Sequence, residues 1–267
     1  MAVYPFYQKL KDASDHMDKG NFGLWYNKLI PISEKNNFKV CDDKGDDKEV
    51  TDYYKKQYTK FQRNMATRKL LEQKHQNQNN FGNVLADKYE TVSFKARLIS
   101  PLINGIGESH PHEVSMVFDH NLGIPYIPAS GMKGIVRFAH TLGLIGDIPP
   151  EKIKKDKYGK EYFDDESEVD NYWTYIPHLF GTQKKRGAVI FLDAYPETVP
   201  ELHLDIMNPH YGEYYSDDKN SKPPGDYLTP NPIKFLTVAR ETVFIFRALV
   251  QNHPPELQEK VEKALLR

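Results

Sequence analysis

Alternation of apolar and polar residues is clearest in Thr91-Val-Ser-Phe-Lys-Ala-Arg-Leu-Ile99, where Val92, Phe94, Ala96 and Leu98 take one side and Ser93, Lys95 and Arg97 the other. Side chains of a strand point to opposite faces in turn, so this segment reads as a strand with one buried face and one wet, basic face. Ala188-Val-Ile-Phe-Leu192 is a continuous apolar run, the pattern of a strand covered on both sides. Ile233 to Ala239 and Thr242 to Val250 read as two further strands joined as a hairpin at Arg240-Glu241, and a short strand is expected around Val114 to Phe118. Helical spacing appears in three places. Tyr54, Tyr58, Phe61 and Met65 share one face of a helix running from Thr51 to about Lys74. Met132, Ile135, Val136 and Ala139 define a second, over 130–143, and Leu257, Val261, Ala264 and Leu265 a third, opened by Pro254 and Pro255. The remaining stretches, 1–50, 147–175 and 203–232, read as irregular, and the amide-rich Gln76 to Asn83 as a linker loop.

Stripped of loops, the order is strand, helix, strand, strand, helix: an α+β chain in the ferredoxin-like order with its last strand missing. The expected organisation is an N-terminal extension, residues 1–85, carrying a basic helix at about 51–75, followed by one ferredoxin-like domain with long insertions over 86–267.

The second helix has an unusual start. Two prolines hold Ile124-Pro-Tyr-Ile-Pro128 extended, and Ser130 then occupies the place of an N-cap, whose hydroxyl accepts from the first-turn amides. Lys133, Arg137 and His140 form a basic face beside the apolar one. Gly131 and Gly134 each cost a helix about 1 kcal/mol against alanine, which makes sense where something must approach the backbone. Bare amides, small residues and cations suit a phosphate; a plain solvated face gives the same pattern.

The net charge of −1 over 267 residues restricts any nucleic-acid surface to a local patch. Such patches exist. Between Thr51 and His75 seven basic residues face two acidic ones, and Lys184-Lys185-Arg186 forms a basic turn bounded by glycine. A single cysteine, Cys41, excludes an internal disulfide framework and argues against a Cys/His zinc site. No apolar run approaches the ~20 residues of a membrane span, and no secretory signal is visible, so a cytoplasmic protein without a membrane partner is expected. No dinucleotide, Walker or His-Glu-x-x-His motif occurs, and no cofactor, metal or catalytic group is assigned. His110 and His112, in a Gly/Ser/Pro loop, are candidates for a general base, as is His210 beside Tyr211; loop histidines are more often simply polar.

Three segments together resemble one family. Ile127-Pro-Ala-Ser-Gly-Met-Lys-Gly-Ile-Val-Arg137 is similar to the Ile-Pro-Gly-Ser-Ser-x-Lys-Gly-x-x-Arg motif of the RAMP superfamily of CRISPR proteins. Leu179-Phe-Gly-Thr182, the basic turn and Gly187-Ala-Val-Ile-Phe-Leu-Asp-Ala194 resemble its next block. Asp205-Ile-Met-Asn-Pro-His-Tyr-Gly-Glu-Tyr-Tyr215 with Pro230-Asn-Pro-Ile-Lys-Phe-Leu236 is similar to the sixth-subunit class of the Cmr (type III-B) RNA-guided effector. The resemblance implies a modified ferredoxin-like fold and a non-catalytic subunit of that effector in antiviral defence. Such a subunit contacts the backbone of the CRISPR RNA near its 3′ part and packs against other RAMP subunits, with target RNA as a further candidate partner. It carries over Ser130, Gly131, Lys133, Gly134 and Arg137 as the RNA contact; Lys184, Lys185 and Arg186 join them on charge. The alternatives are a metal-independent endoribonuclease that processes CRISPR RNA through His110 or His112, and a purely structural adaptor. The superfamily's glycine-rich loop and closing strand have no counterpart before Arg267, so either the sequence is truncated, which is the favoured expectation, or another segment or subunit covers the sheet edge.

Overall fold

The computed structural model describes residues 2–3, 19–28, 32–33, 39–40, 48–107, 110, 114–146, 154–155, 161–162, 179–181, 184, 186–210, 215, 225, 230 and 232–252. The helices are α1 (Phe22–Lys28), α2 (Lys48–Gln62), α3 (Met65–Val84) and α4 (Ala129–Gly146). Short strands β1 (Ala2–Val3), β2 (Ile32–Ser33) and β3 (Lys39–Val40) form one antiparallel sheet. Next come β4 (Tyr89–Arg97), the paired β5 (Lys154–Lys155) and β6 (Glu161–Tyr162), β7 (Val189–Phe191), β8 (Tyr195–Pro196), β9 (Leu202–Met207), β10 (Ile233–Val238) and β11 (Val243–Gln251). The larger sheet runs β4-β11-β7, with β8 also on β11, while β9 and β10 make a separate antiparallel pair. This mixture of helices and antiparallel sheets is an α+β fold. The expected last helix lies outside the described residues.

The chain forms two compact units, and they interleave in sequence. The first comprises Met1–Lys74, Ala96–Tyr126 and Tyr195–Phe244; the second comprises His75–Lys95, Ile127–Ala194 and Ile245–Arg267.

In the first unit an aromatic cluster surrounds Phe22, which is fully buried with Trp25, Tyr26, Tyr58, Phe61 and Phe118 around it. Ring centroids lie 4.6 Å from Phe22 to Phe61 and 5.7 Å from Phe22 to Phe118. Half of this core comes from residues expected to be irregular. Asn21 makes α1 possible: its Oδ1 accepts from the Leu24 amide at 2.8 Å, and its Nδ2 donates to the His120 carbonyl at 2.8 Å. The helix expected over 51–74 is two helices. Asn64, buried, caps the second by accepting from the Thr67 amide at 2.9 Å, while its Nδ2 donates to the Gly20 carbonyl at 2.9 Å. Met65, past that break, is exposed rather than continuing the apolar face.

Two strand assignments also change. β10 pairs with β9 and not with β11, so Arg240-Glu241 turns the chain between two sheets, with Glu241 at φ 70°. All of β9 but its first residue, Leu202, falls inside the stretch read as irregular. Val114 to Phe118 forms no strand: Val114, Met116 and Phe118 are buried, but among the described residues the segment makes a single β-bridge, Phe118–Pro125, and one further backbone bond, from the Val117 amide to the Asn104 carbonyl at 3.0 Å. Asp119 organises this loop. Its Oδ1 accepts from the Asn121 and Leu122 amides, and its Oδ2 accepts from the Tyr195 hydroxyl at 2.6 Å with Lys74 Nζ at 3.9 Å.

In the second unit Leu179, Phe180, Val189, Ala248 and Val250 make a buried cluster, with Val92, Val136 and Phe191 packed against it. β7 and β11 pair antiparallel, Val189 opposite Val250 and Phe191 opposite Ala248. Residues 76–83, expected as a loop, are helical, and Arg247 explains it. This buried guanidinium donates to Asn79 Oδ1 at 2.9 Å and Gln78 Oε1 at 3.0 Å, and lies 3.2 Å from His75 Nδ1. Amides that would favour a loop in isolation find their partners on one helix face, and tertiary structure overrides local preference.

Candidate nucleic-acid interface

The start of α4 is set by a residue far away in sequence. Ile127 and Ala194 exchange backbone hydrogen bonds at 2.9 Å each, which lays Asp193 against the first turn. Its Oδ1 accepts from the Ala129 amide at 2.8 Å, and its own carbonyl accepts from Gln78 Nε2 at 2.8 Å. The Pro128 carbonyl takes the Gly131 and Met132 amides at 3.0 and 3.1 Å, so Pro128 stands at the N-cap and Ser130 lies within the first turn. The expected role of Ser130 as the cap is therefore corrected. A carboxylate makes the stronger, charge-assisted bond and complements the helix dipole.

The helix faces differ in part from the expected ones. Met132 is buried and Val136 half-buried, as the period predicts, but Ile135 is 70 % exposed and Phe138 65 %. His140, placed by spacing on the basic face, instead sits near Phe180, centroids 6.0 Å apart. Lys133, half-buried, and Arg137, exposed one turn on, remain as the cationic row.

Opposite the start of α4, the loop before β7 closes on itself. A Cβ at Gly187 would lie 2.6 Å from Gly181 N and 2.6 Å from Phe180 C, and closer still to the Leu179 carbonyl oxygen. Gly181 has φ 79°, a conformation that suits glycine. Between this loop and α4 is a groove of about 280 Å³ whose lining includes Ser130, Lys133, Arg186, Val189, Ile190 and Phe191. No carboxylate residue lines it among the described residues.

Two cations predicted from separate motifs, Lys133 and Arg186, thus share one groove with Ser130. Arg137 and Lys184 are exposed and outside the lining, and Lys185 lies outside the described residues. Gly131 and Gly134 are exposed on α4, and a Cβ at either would meet nothing within 4 Å. Packing therefore gives no reason for glycine at these positions. Sequence reasoning missed Asp193, whose only local signal is an acidic residue ending an apolar run, and Phe191, hidden within that run.

The other candidates fall elsewhere. His110 stacks on Tyr26 in the aromatic core of the first unit, centroids 4.9 Å and planes 13° apart. Burial lowers its pKa, a backbone hydrogen bond with Tyr26 opposes that, and Lys28 adds to the lowering. His112 and Tyr211 lie outside the described residues; His210 is exposed. On β4, Lys95 and Arg97 are exposed, and Arg97 Nη1 lies 3.5 Å from Glu241. Among the described residues no three His, Cys, Asp or Glu side chains are grouped to hold a metal, and no helix is long and apolar enough to cross a membrane.

Comparison with known proteins agrees with the motifs. The chain is 34% identical over 212 residues to the CRISPR system Cmr subunit Cmr6 of Pyrococcus furiosus, covering 66% of this chain and 62% of that protein. It is 30% identical over 151 residues to the CRISPR system CMR subunit Cmr6 of Saccharolobus solfataricus, covering 54% of this chain and 43% of that one. The matched span is thus less than two thirds of either relative's length. A chain in the cryo-EM structure of the Type III-B Cmr-beta bound to cognate target RNA superposes with a TM-score of 0.52 at 20% identity, over 84% of this chain and 68% of that chain, a likeness of fold. The RAMP superfamily model matches residues 95–266, well over half of the chain, which therefore belongs to the RAMP superfamily.

Proposed function

We propose that this chain is a non-catalytic, cytoplasmic subunit of a type III-B CRISPR effector complex. In this reading it holds the backbone of the CRISPR RNA at the groove between α4 and the basic turn and packs against other RAMP subunits. The observation that carries the proposal is the convergence of Lys133 and Arg186, from separate elements, on one groove with Ser130. Cations there neutralise phosphates and fix the register of the RNA without reading its sequence. Ser130, Gly131, Gly134 and Arg137 extend the same contact along α4, and Lys184 and Lys185 along the turn. The names of the two relatives support the complex; they do not by themselves assign a site. The ferredoxin-like arrangement is supported by the sheet order β4-β11-β7 with α4 following the first strand: the third strand of that motif lies between its first and second.

The test is RNA affinity against salt for the double variant Lys133→Glu, Arg186→Glu. Loss of two phosphate contacts reduces the salt slope by about 1.4 for single-stranded RNA. An unchanged slope and affinity would overturn the assignment of this groove.

A further inference from the structure

We propose that the groove seats a whole nucleotide, with its phosphate between Lys133 and Arg186 and its base against the ring of Phe191. This rests on the RNA reading of the groove and adds to it a base-binding wall. The lining is chemically divided: Ser130, Lys133 and Arg186 are polar, whereas Val189, Ile190 and Phe191 are apolar. A phosphodiester tracked by charge alone gains nothing from an apolar wall, whereas a base presents a π-face that does. Phe191 is also built as a platform. Its ring stacks nearly parallel on Phe180, centroids 6.2 Å and planes 9° apart. Phe180 is only 3 % exposed and fixed in the core, while Phe191 is half-buried and keeps surface toward the groove. At about 280 Å³ the space lies just under the roughly 300–1,000 Å³ of small-molecule sites. Stacking of this kind tolerates any base, so the seat adds affinity without adding sequence preference.

The experiment uses the full chain and two fluorescent probes of equal charge, an oligouridylate of about a dozen nucleotides and a ribose-phosphate oligomer of the same length without bases. The intact protein is expected to prefer the base-bearing probe about tenfold, the effect of one stacked base. Phe191→Leu, which keeps apolar volume, should remove that preference while leaving the affinity for the base-free probe and the salt slope unchanged. Phe191→Tyr, which keeps the stacking face, should retain the preference. Equal affinity of the intact protein for the two probes, or a Phe191→Leu loss that is the same for both, overturns the base seat. The Lys133→Glu, Arg186→Glu protein separates the two ideas. If it loses affinity for both probes while Phe191→Leu changes neither, only the base seat fails. If it binds both as the intact protein does, the groove is not the RNA site.

Discussion

Gly131 and Gly134 provide the sharpest test of whether the α4 surface is shaped by folding or by a ligand. Both are exposed in a helix, neither has a positive φ, and an added Cβ at either meets no heavy atom within 4 Å. Alanine is favoured over glycine in a helix by about 0.8–1 kcal/mol per residue. Gly134 should return most of that and Gly131, in the first turn, somewhat less. The pair should stabilise the protein by about 1.5 kcal/mol, or roughly 3–6 °C in Tm for a chain of this size. If the RNA backbone lies against these glycines, the same two methyl groups displace it. A lost charge-assisted hydrogen bond is worth about 1.5–3 kcal/mol, so RNA affinity should fall tenfold or more while the protein becomes more stable. Urea midpoints and fluorescence anisotropy on the same preparations read both quantities. Raised stability with unchanged affinity would show that no ligand uses the clearance, and lowered stability would show that the surface is not open.

Two other substitutions test the supporting structure. Gly187→Ala places a methyl against the backbone of Leu179, Phe180 and Gly181, none of which can rotate away. Overpacking of about 1–3 kcal/mol is expected, seen as a lower Tm together with weaker RNA binding as Arg186 moves; an unchanged Tm would refute the tight closure. Asp119 is pushed up by burial, but the Tyr195 hydroxyl, the Leu122 and Asn121 amides and Lys74 outweigh this and hold its pKa below the ordinary carboxylate value. A carboxylate depressed in the folded state contributes stability above its unfolded pKa of about 3.9, and that contribution is lost as pH falls through the folded value. Tyr195→Phe should therefore cost about 1.5–3 kcal/mol at neutral pH and less in acid below that range. Followed downward from pH 7, the gap between the urea midpoints of the two proteins should narrow as Asp119 takes up its proton in the folded state; a gap that stays constant after that titration would refute the coupling.

The parts of this fold that were legible in sequence are those whose signal is local. Alternation located β4, an unbroken apolar run located β7, and Met132 with Val136 located α4. What escaped depends on distant partners. No property of Gln78 or Asn79 announces a helix; Arg247, far along the chain, makes one by taking both side-chain oxygens. Serine is a good cap by local rules, yet the carboxylate of Asp193 reaches the helix start first. Asn64 was legible as a cap in principle, but the apolar helical period running past it from Tyr54 to Met65 concealed the break. In the candidate site, Lys133 and Arg186 stood out by motif and charge, whereas Phe191 looked like any other residue of a buried strand.

The pairing of β7 with β11 also has a consequence for the order of events during synthesis. The β7 side of the groove pairs through Val189–Phe191 with Ala248–Val250. A three-residue strand without its neighbour is not stable, and contacts of such long sequence separation are among the later ones to form. The groove cannot be complete when Lys133 and Arg186 leave the ribosome; it must wait for β11, which is nearly the last described segment. A nascent chain therefore completes this groove only once β11 has been made and paired with β7, so whatever the groove takes up must follow that pairing rather than guide it.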